Sequence, residues 1–120
     1  MALTLADDQS IRDMVAYVSS IPVESDVEQT ITGDLEAGKA LYVLCQSCHG
    51  SAGEGNKTLN SPRIAGLQDW YVARQLRNFK AGIRGTKSGD MFGMQMRPMA
   101  ISLSDDEAIN NVAAYIATLK

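Results

Sequence analysis

Residues 45–49 read Cys45-Gln46-Ser47-Cys48-His49, a C-x-x-C-H pattern that holds both cysteines and the single histidine of the 120-residue chain. Two thiols at this spacing can form thioethers with the two vinyl groups on one edge of a porphyrin, and the imidazole that follows can ligate its iron. One turn of helix would keep all three groups on one side. The stretch therefore predicts one covalently bound haem c, attached through Cys45 and Cys48, with His49 as the proximal iron ligand.

Three other chemistries use cysteines at this spacing, and each lacks a feature that it needs. A thioredoxin-like redox pair belongs in a βαβ context, which this chain does not offer. A zinc site needs four ligands, and no second C-x-x-C or H-x-x-x-H supplies the rest. A structural disulfide would close a loop too short to stabilise the fold much. Haem attachment is therefore the favoured interpretation.

The composition is that of one globular domain, with 45% hydrophobic and 21% charged residues and a net charge of −3. Nothing in it indicates nucleic-acid binding, and no apolar run approaches the length of a membrane span. The first five residues are too few for a signal peptide and are soon followed by Asp7 and Asp8. Because thioether attachment of haem is associated with the outer side of the bacterial inner membrane, we expect a periplasmic protein or domain. The chain is then a mature form or an excised piece of a larger protein.

Charge is spread unevenly along the chain. Residues 1–36 carry eight acidic side chains against Arg12 alone, whereas residues 63–97 carry seven basic side chains against two acidic ones. The basic block is either an ordinary solvated face or a surface that screens the haem propionates and orients docking to a redox partner.

Apolar spacing and turn residues predict an all-α fold. A first helix over residues 6–20 ends before Pro22, and residues 22–33 form a polar linker. A second helix begins near Asp34, with Thr32 or Asp34 as its cap, and runs into residues 45–49. We expect loops over 50–66 and 82–103, a third helix over 69–80, and a last helix from Ser104, where Ser104-Asp105-Asp106-Glu107 is typical of a capping box.

Each predicted helix has an apolar face. Gly38 is expected to permit close packing of the second helix, and Gly82 to end the third. The apolar faces are formed by Ile11, Met14, Val15 and Val18, then by Leu35, Leu41, Tyr42 and Leu44, then by Trp70, Val72, Ala73, Leu76 and Phe79, and last by Ile109, Val112, Ala113, Ile116 and Leu119.

The two ends of the chain repeat one another. Met1-Ala2-Leu3-Thr4-Leu5-Ala6-Asp7-Asp8 parallels Met99-Ala100-Ile101-Ser102-Leu103-Ser104-Asp105-Asp106, and the match continues to Ala16-Tyr17 and Ala114-Tyr115. Either two unrelated amphipathic helices share a capping style, or residues 1–21 are the closing helix of a preceding copy of the same domain. An apolar stripe on this first helix needs a cover, so we expect it to pack on its own domain or to mediate a homodimer.

The iron's second axial position needs a ligand or stays open, and with no second histidine a thioether is the natural neutral donor. The chain offers four methionines before the last helix, namely Met91, Met94, Met96 and Met99. Most methionines are core filler, so at most one of these is expected to ligate. Met96 and Met99 are preferred, because Pro98 should hold Arg97 extended and so stiffen the segment.

Several further motifs accompany the cysteines. They are Gly38-x-x-x-Tyr42-x-x-Cys45-x-x-Cys48-His49-Gly50, Pro62-Arg63-Ile64-Ala65-Gly66, Tyr71-x-x-x-Gln75-Leu76-x-x-Phe79-x-x-Gly82-x-Arg84, Met96 seven residues before Leu103, and Ala113-Ala114-Tyr115-Ile116. Over residues 33–120 the combination resembles the small monohaem domains of bacterial cytochromes c, particularly those of tandem di-haem cytochromes and those linked to haem–copper oxidases.

The resemblance implies a cytochrome c-like fold, with helices packed around the haem over residues 33–120 and an extra helix and linker over residues 1–32. It favours Met96 over Met99 as the sixth ligand, since the family's ligand methionine lies seven residues before the leucine that opens the last helix. It also implies that the carbonyl of Pro62 accepts a hydrogen bond from the proximal imidazole.

These features together predict an electron carrier and not an enzyme. We expect redox partner proteins within a respiratory chain, with electrons delivered to a terminal oxidase or similar enzyme, and the chain as a possible part of a membrane-bound oxidase or a tandem cytochrome. The alternatives are a haem enzyme or gas sensor with an open or displaceable sixth ligand, and a structural module. Arg63, Trp70, Tyr71 and Arg84 are candidates for holding the propionates, with core packing as the alternative for Trp70.

Overall fold

The structure of the protein, a computed structural model, describes residues 4–22 and 27–120. Its helices are α1 (Asp8–Ser20), α2 (Leu35–His49), α3 (Asp69–Lys80), α4 (Met91–Ile101) and α5 (Asp106–Ile116). These described ranges contain no strand, only an isolated bridge between Asn56 and Ser61 beside a short 3₁₀ turn. The predicted all-α fold is confirmed. Residues 1–3 of the repeat and residues 23–26 of the predicted linker lie outside the described residues.

Helices α2 and α5 form the central pair of the fold. Asp34 caps α2, because its carboxylate accepts hydrogen bonds from the amides of Glu36 and Ala37. Gly38 lies where the two helices cross, and a Cβ built there would come within 2.1 Å of the carbonyl oxygen of Asn111 in α5. Only glycine lets two backbones approach so closely. The packing role predicted for Gly38 is confirmed.

The apolar face predicted for α2 is only partly buried. Tyr42 is 2% exposed and Leu41 packs against the core, whereas Leu35 and Leu44 are 43% and 45% exposed. Gly38 and Tyr42 set the side of the helix that meets α5. Leu44 lies about 160° around the helix axis from Tyr42, since each residue advances the helix by about 100°. The prediction is therefore wrong for Leu44. It is also wrong for Leu35, which lies on the side of Tyr42 but is the first residue of the helix and remains exposed.

Helix α5 is the most buried element of the fold. Its core face consists of Ile109, Val112, Ala113 and Ile116, all at most 3% exposed. The helix begins one residue later than a cap at Ser104 would place it. Asp105 is the N-cap and accepts a hydrogen bond from the amide of Ala108 at 2.8 Å. Leu119 lies beyond the end of the helix and is half-buried.

Helix α3 has the bounds that its sequence predicts, and Gly82 follows its end with a φ of 73°. Its buried residues include Val72, Ala73, Leu76 and Phe79, as predicted. Trp70, however, is 48% exposed, so the prediction that it faces the core is wrong. The buried stripe continues from Asp69 at helical spacing, and Trp70 falls beside that stripe instead of on it.

The predicted loop over residues 82–103 is wrong in its second half, where α4 forms. Asp90 caps this helix by accepting a hydrogen bond from the amide of Gly93 at 2.9 Å. Apolar residues lie on all sides of α4, so the segment lacks the periodicity that announces a surface helix. Met91, Phe92 and Met94 are exposed, and only Ala100 is fully buried.

Pro98 lies inside α4, so the extended conformation predicted for Arg97 is also wrong. A proline disfavours a helical residue before it but does not forbid one. The guanidinium of Arg97 packs over Gly82, with Nη2 3.7 Å from a Cβ built on that glycine. Its Nε atom is buried and has no hydrogen-bond partner among the described residues.

Helix α1 agrees closely with the predicted first helix and ends before Pro22. Its apolar side chains remain in solvent: Ile11, Met14, Val15 and Val18 are 46–59% exposed. None of the described helices combines the length and the apolar character that crossing a membrane requires.

Candidate haem attachment site

Both cysteines lie in the last two turns of α2, one helical turn apart. Cys45 is half-buried and packs against the core, whereas Cys48 is exposed, and both are free thiols. Burial, with a smaller contribution from Cys48, raises the pKa of Cys45 to about 11. The two sulfur atoms thus differ in surroundings although they share one side of one helix.

His49 ends α2 and is buried, with 8% of its surface exposed. Its Nδ1 lies 2.8 Å from the carbonyl oxygen of Pro62. A carbonyl oxygen can only accept a hydrogen bond, so Nδ1 carries the ring proton and donates. That tautomer leaves the lone pair of Nε2 free to ligate a metal, and the same contact fixes the direction of the ring.

The loop after His49 folds back to bring Pro62 to the imidazole. The amide of Gly55 donates to the His49 carbonyl at 2.7 Å, and the Gly53 carbonyl accepts hydrogen bonds from the amides of Ile64 and Ala65. Gly55 has a φ of 84°, and a Cβ there would meet the Arg63 amide nitrogen at 2.6 Å. Glycine is therefore required where the loop turns beside Pro62.

Tyr42 ties the start of this loop to the core of the fold. Its hydroxyl donates a hydrogen bond to the carbonyl of Gly50 at 2.7 Å, and its ring packs 5.3 Å from that of Tyr115. Burial raises the pKa of Tyr42 to about 12, with the neighbouring Cys45 as the next cause. The hydroxyl is therefore a stable donor at neutral pH, and it holds the chain directly after His49.

The four methionines of α4 differ in burial. Met96 is half-buried and packs against the core cluster that also contacts Cys45 and Ile64. Met91, Met94 and Met99 are 65%, 53% and 38% exposed. Met96 is thus the methionine whose side chain reaches the interior shared with the cysteine segment.

The remaining candidates lie at the surface. Arg63 donates from Nε to the carbonyl of Ala65, and Arg84 donates to Gln75 while its guanidinium lies 4.5 Å from the centre of the Phe79 ring. Trp70 and Tyr71 meet edge to face with their ring centres 6.0 Å apart. Trp70 and Tyr71 therefore lie together, and Arg63 and Arg84 occupy separate loops.

Asp69 is a residue that sequence reasoning missed. It is fully buried, and its carboxylate accepts hydrogen bonds from Thr30, Ile31 and Trp70. Burial raises the pKa of this carboxyl, but the hydrogen bonds outweigh burial and the pKa lies below its ordinary value. An aspartate in the first turn of a predicted helix was an available signal, but its partners lie 38 and 39 residues earlier in the chain.

The residues brought together fit a covalently bound haem. Two free thiols share the side of a helix that ends in an oriented imidazole, and a half-buried thioether packs against the same cluster. When bound, such a haem supplies a reversible ferric–ferrous couple. The fold and the site therefore define an all-α domain for a covalently attached haem.

Comparison with known proteins identifies the family of this domain. The cytochrome c family matches residues 35–120. Cytochrome c4 of Azotobacter vinelandii is 35% identical over 122 residues, which cover 93% of this chain and 55% of that protein. Cytochrome c-554(547) of Halothiobacillus neapolitanus is 39% identical over 93 residues, which cover 73% of this chain and 99% of that protein. The chain therefore belongs to the cytochrome c family, and its function is electron transfer by a c-type haem.

A solved structure agrees with this assignment. Reduced recombinant cytochrome c4 from Pseudomonas stutzeri superposes with a TM-score of 0.70 at 28% identity, over 96% of this chain and 62% of that one. The chain spans about half the length of the Azotobacter cytochrome c4 and nearly the whole of the cytochrome c-554(547). The cytochrome c-like fold is confirmed.

Proposed function

We propose that this protein is a single-electron carrier whose haem iron is ligated by His49 and Met96. The observation that carries the proposal is the hydrogen bond from His49 to Pro62, which aims Nε2 away from the loop while both thiols lie on the same helix. With Met96 as the second axial ligand, the iron has no free position for a substrate. A site closed in this way suits a carrier and not an enzyme.

Burial supports Met96 over Met99 as the sixth ligand. Met96 packs against the core cluster with Cys45, whereas Met99 is 38% exposed. A thioether ligand must be held against the haem without competing water, and an interior side chain meets that need better than a surface one. The two residues lie one turn apart on α4, so each is a fair control for the other.

The test compares Met96→Ala with Met99→Ala in the haem-loaded protein. Met96→Ala should abolish the far-red absorption band of a thioether on ferric iron and should lower the reduction potential, because a thioether favours ferrous iron. Met99→Ala should leave both unchanged. The opposite result would assign the ligand to Met99.

Carbon monoxide distinguishes the carrier from a haem enzyme or gas sensor. If Met96 occupies the sixth position, the reduced protein should bind carbon monoxide poorly, and Met96→Ala should bind it readily. Ready binding by the unmodified reduced protein would indicate an open or displaceable ligand. A haem without a reversible redox couple would instead indicate a structural module.

The exposed pair Trp70 and Tyr71 supports a role in holding the propionates. Neither the indole Nε1 nor the phenol oxygen has a hydrogen-bond partner in the described part of the chain. Arg63 and Arg84 are the basic members of the same proposed set. Tyr71→Phe should change the pH dependence of the potential if the phenol binds a propionate, and Tyr17→Phe on α1 is the control.

We place the protein on the periplasmic side of the inner membrane, within a respiratory chain. Covalent haem attachment supports this location, and the basic segment over residues 63–97 would favour acidic surfaces on redox partners. Delivery of electrons to a terminal oxidase or similar enzyme is the proposed role. A rate of oxidation by membranes that falls with rising salt would support it, and a salt-independent rate would count against charge-guided docking.

The domain boundary that we propose separates residues 1–32 from residues 33–120, with α1 as the closing helix of a preceding haem domain. Asp7 and Asp105 cap α1 and α5 in the same way, each accepting a hydrogen bond from the amide three residues later at 2.8 Å. The half-exposed face of α1 would then be covered by the preceding domain. A homodimer through α1, and membership of a membrane-bound oxidase, are the competing arrangements.

The number of haems per polypeptide and the mass in solution decide between these arrangements. A natural polypeptide with a second C-x-x-C-H before residue 1 and a monomeric mass would support the tandem arrangement. A dimer of this chain that dissociates in Val15→Glu would support the homodimer. The matched control is Tyr17→Glu, since Tyr17 is exposed and lies on a different side of α1.

A further inference from the structure

Asp69 is a buried carboxylate that belongs neither to the proposed haem ligands nor to the hydrophobic core cluster. The first residue of α3, it is 0% exposed. One carboxylate oxygen accepts hydrogen bonds from the Thr30 hydroxyl at 2.7 Å and the Trp70 amide at 2.6 Å. The other accepts from the amides of Thr30 and Ile31, at 2.6 and 2.7 Å. Each carboxylate oxygen therefore accepts two hydrogen bonds.

Three of these four donors belong to the connection that precedes α2. A buried carboxylate is costly unless it is fully hydrogen-bonded, so the ionised form of Asp69 depends on Thr30 and Ile31 being in place. In turn, the backbone amides of Thr30 and Ile31, which lie outside any helix, both donate to this one side chain. The carboxylate and the connection thus stabilise each other.

The same connection is held again a few residues later. Ile31 packs against the core cluster, and the Asp34 amide donates to the side chain of Asn111 at 2.8 Å. A Cβ on Gly33 would lie 2.8 Å from the carbonyl oxygen of Asn110. Residues 30–34 are therefore held at both ends, by Asp69 of α3 at Thr30 and Ile31 and by α5 at Gly33 and Asp34.

We infer that Asp69 is a positioning residue that anchors this connection beside Trp70 and Tyr71. Because Trp70 follows Asp69 directly and donates its amide to it, the anchor lies next to the proposed propionate contacts. The connection is then held at Thr30 and Ile31, at the edge of the haem domain. Where a second haem domain precedes this one, which rests on the proposed function, Asp69 fixes this end of the linker and so narrows the range of haem–haem distances.

The local test measures amide hydrogen exchange in the haem-loaded protein. In Asp69→Asn, one acceptor oxygen becomes an NH₂ group that cannot accept, and the remaining oxygen loses its negative charge, so the hydrogen bonds from the Thr30 and Ile31 amides weaken. These two amides should therefore exchange about tenfold faster or more. Amides in the middle of α5 should keep their protection. The control is Asp90→Asn, which alters an exposed carboxylate with one amide donor at the start of α4.

Two results would overturn the anchor. Unchanged exchange at Thr30 and Ile31 would show that another contact holds the connection. An equal acceleration in every helix would show a general loss of stability instead. Should Asp69→Asn fail to fold, Thr30→Val removes only the hydroxyl donor, and it should accelerate exchange at Ile31 while leaving α5 protected.

The positioning role is tested in the full natural polypeptide by pulsed electron paramagnetic resonance between ferric haems. Asp69→Asn should broaden the distribution of haem–haem distances and slow electron exchange between the haems, with both reduction potentials unchanged. A distribution as narrow as that of the unmodified protein would refute the positioning role. A polypeptide with one haem would refute the tandem proposal, and the exchange result would still decide whether Asp69 anchors the connection.

Discussion

Helices α1 and α5 have similar N-terminal caps, but their apolar faces lie in opposite environments. Each is capped by an aspartate, and their apolar residues correspond at a constant offset along the chain. Ile11, Met14, Val15 and Val18 of α1 are 46–59% exposed, whereas Ile109, Val112, Ala113 and Ile116 of α5 are at most 3% exposed. Cap and periodicity therefore suffice to form the helix, but burial of its apolar face depends on a partner.

Helix α5 packs against the side of α2 that contains Gly38. Asn111 of α5 accepts a hydrogen bond from the Asp34 amide, and its backbone lies against Gly38. The corresponding residue of α1 is Asp13, whose carboxylate accepts a hydrogen bond from Gln9 on its own helix. The two helices thus differ at the position that faces α2 in α5. Asn111 is fitted to α2, and Asp13 is satisfied without any second helix.

The largest expected effect separates the two helices directly. Ile109→Ala should lower the free energy of unfolding by about 2–5 kcal/mol, because it opens a cavity in a fully buried site. Ile11→Ala should change it by less than about 0.5 kcal/mol, because the side chain already lies in solvent. Thermal and denaturant unfolding of the two haem-loaded variants measure both values. Equal losses would mean that α1 is covered in solution.

The second prediction breaks the contact that α5 has and α1 lacks. Gly38→Ala places a methyl group 2.1 Å from a backbone oxygen of α5, which cannot move without the helix. We expect a loss of about 1–3 kcal/mol in spite of the better helix propensity of alanine. Gly93→Ala is the matched control, since its Cβ also meets an oxygen at 2.1 Å, but one on the exposed side chain of Asp90. That side chain can rotate away and loses only its cap hydrogen bond from the Gly93 amide, at a cost of about 1 kcal/mol. A similar loss in both variants would argue against the close crossing.

Local signals in the sequence predicted the start and end of α1, α2 and α3 and the residues that α5 buries. These features depend on caps, glycines and spacing within a few residues, all of which the sequence displays. The haem ligands His49 and Met96 were likewise named from spacing and from resemblance to a known family, and their ligand roles stay predictions.

Features that depend on distant partners were not predictable in the same way. Helix α4 was missed because its methionines lie on all sides and a proline lies within it. Trp70 was placed in the core because an aromatic residue at helical spacing usually is buried, yet α3 turns Asp69 inward instead. A buried aspartate is recognisable only when its donors are known, and those lie on the connection before α2.

Lowering the pH should destabilise α1 before α5, because α5 is held by packing as well as by its cap. The hydrogen bond from the Ser10 amide lowers the pKa of Asp7, and that from the Ala108 amide lowers the pKa of Asp105. Each cap therefore stabilises its helix above the ordinary aspartate pKa and loses that effect as the pH falls through the lowered value. We expect α1 to fray first, because packing still holds α5. Amide chemical shifts of Ser10 and Ala108 between pH 6 and pH 2 follow the two helices separately.

Asparagine at the same positions is the control for the acid experiment, since it caps a helix without a titrating charge. Asp7→Asn should reduce the pH dependence of α1 over this range, while the charge of Asp8 in the first turn remains. Simultaneous loss of both helices in the unmodified protein would mean that the domain unfolds as a whole before either cap is tested.

The smallest expected effect concerns the ion pair that α5 makes and α1 does not. Arg77 Nε lies 3.0 Å from Asp106 Oδ1, but the two side chains are 41% and 74% exposed, so solvent screens their attraction. Asp106→Asn should therefore cost only about 0.5 kcal/mol, and the loss should vanish in about 1 M salt, where the Debye length is about 3 Å.

Asp8→Asn is the counterpart on α1: it removes the same favourable charge from a first helical turn, and Asp8 has no ion pair within the described residues. The difference between these variants in thermal unfolding isolates the pair. A loss well above 1 kcal/mol in Asp106→Asn would mean that Arg77 also releases Asn110, its hydrogen-bond partner at 2.9 Å, and that the α3–α5 contact acts as one unit.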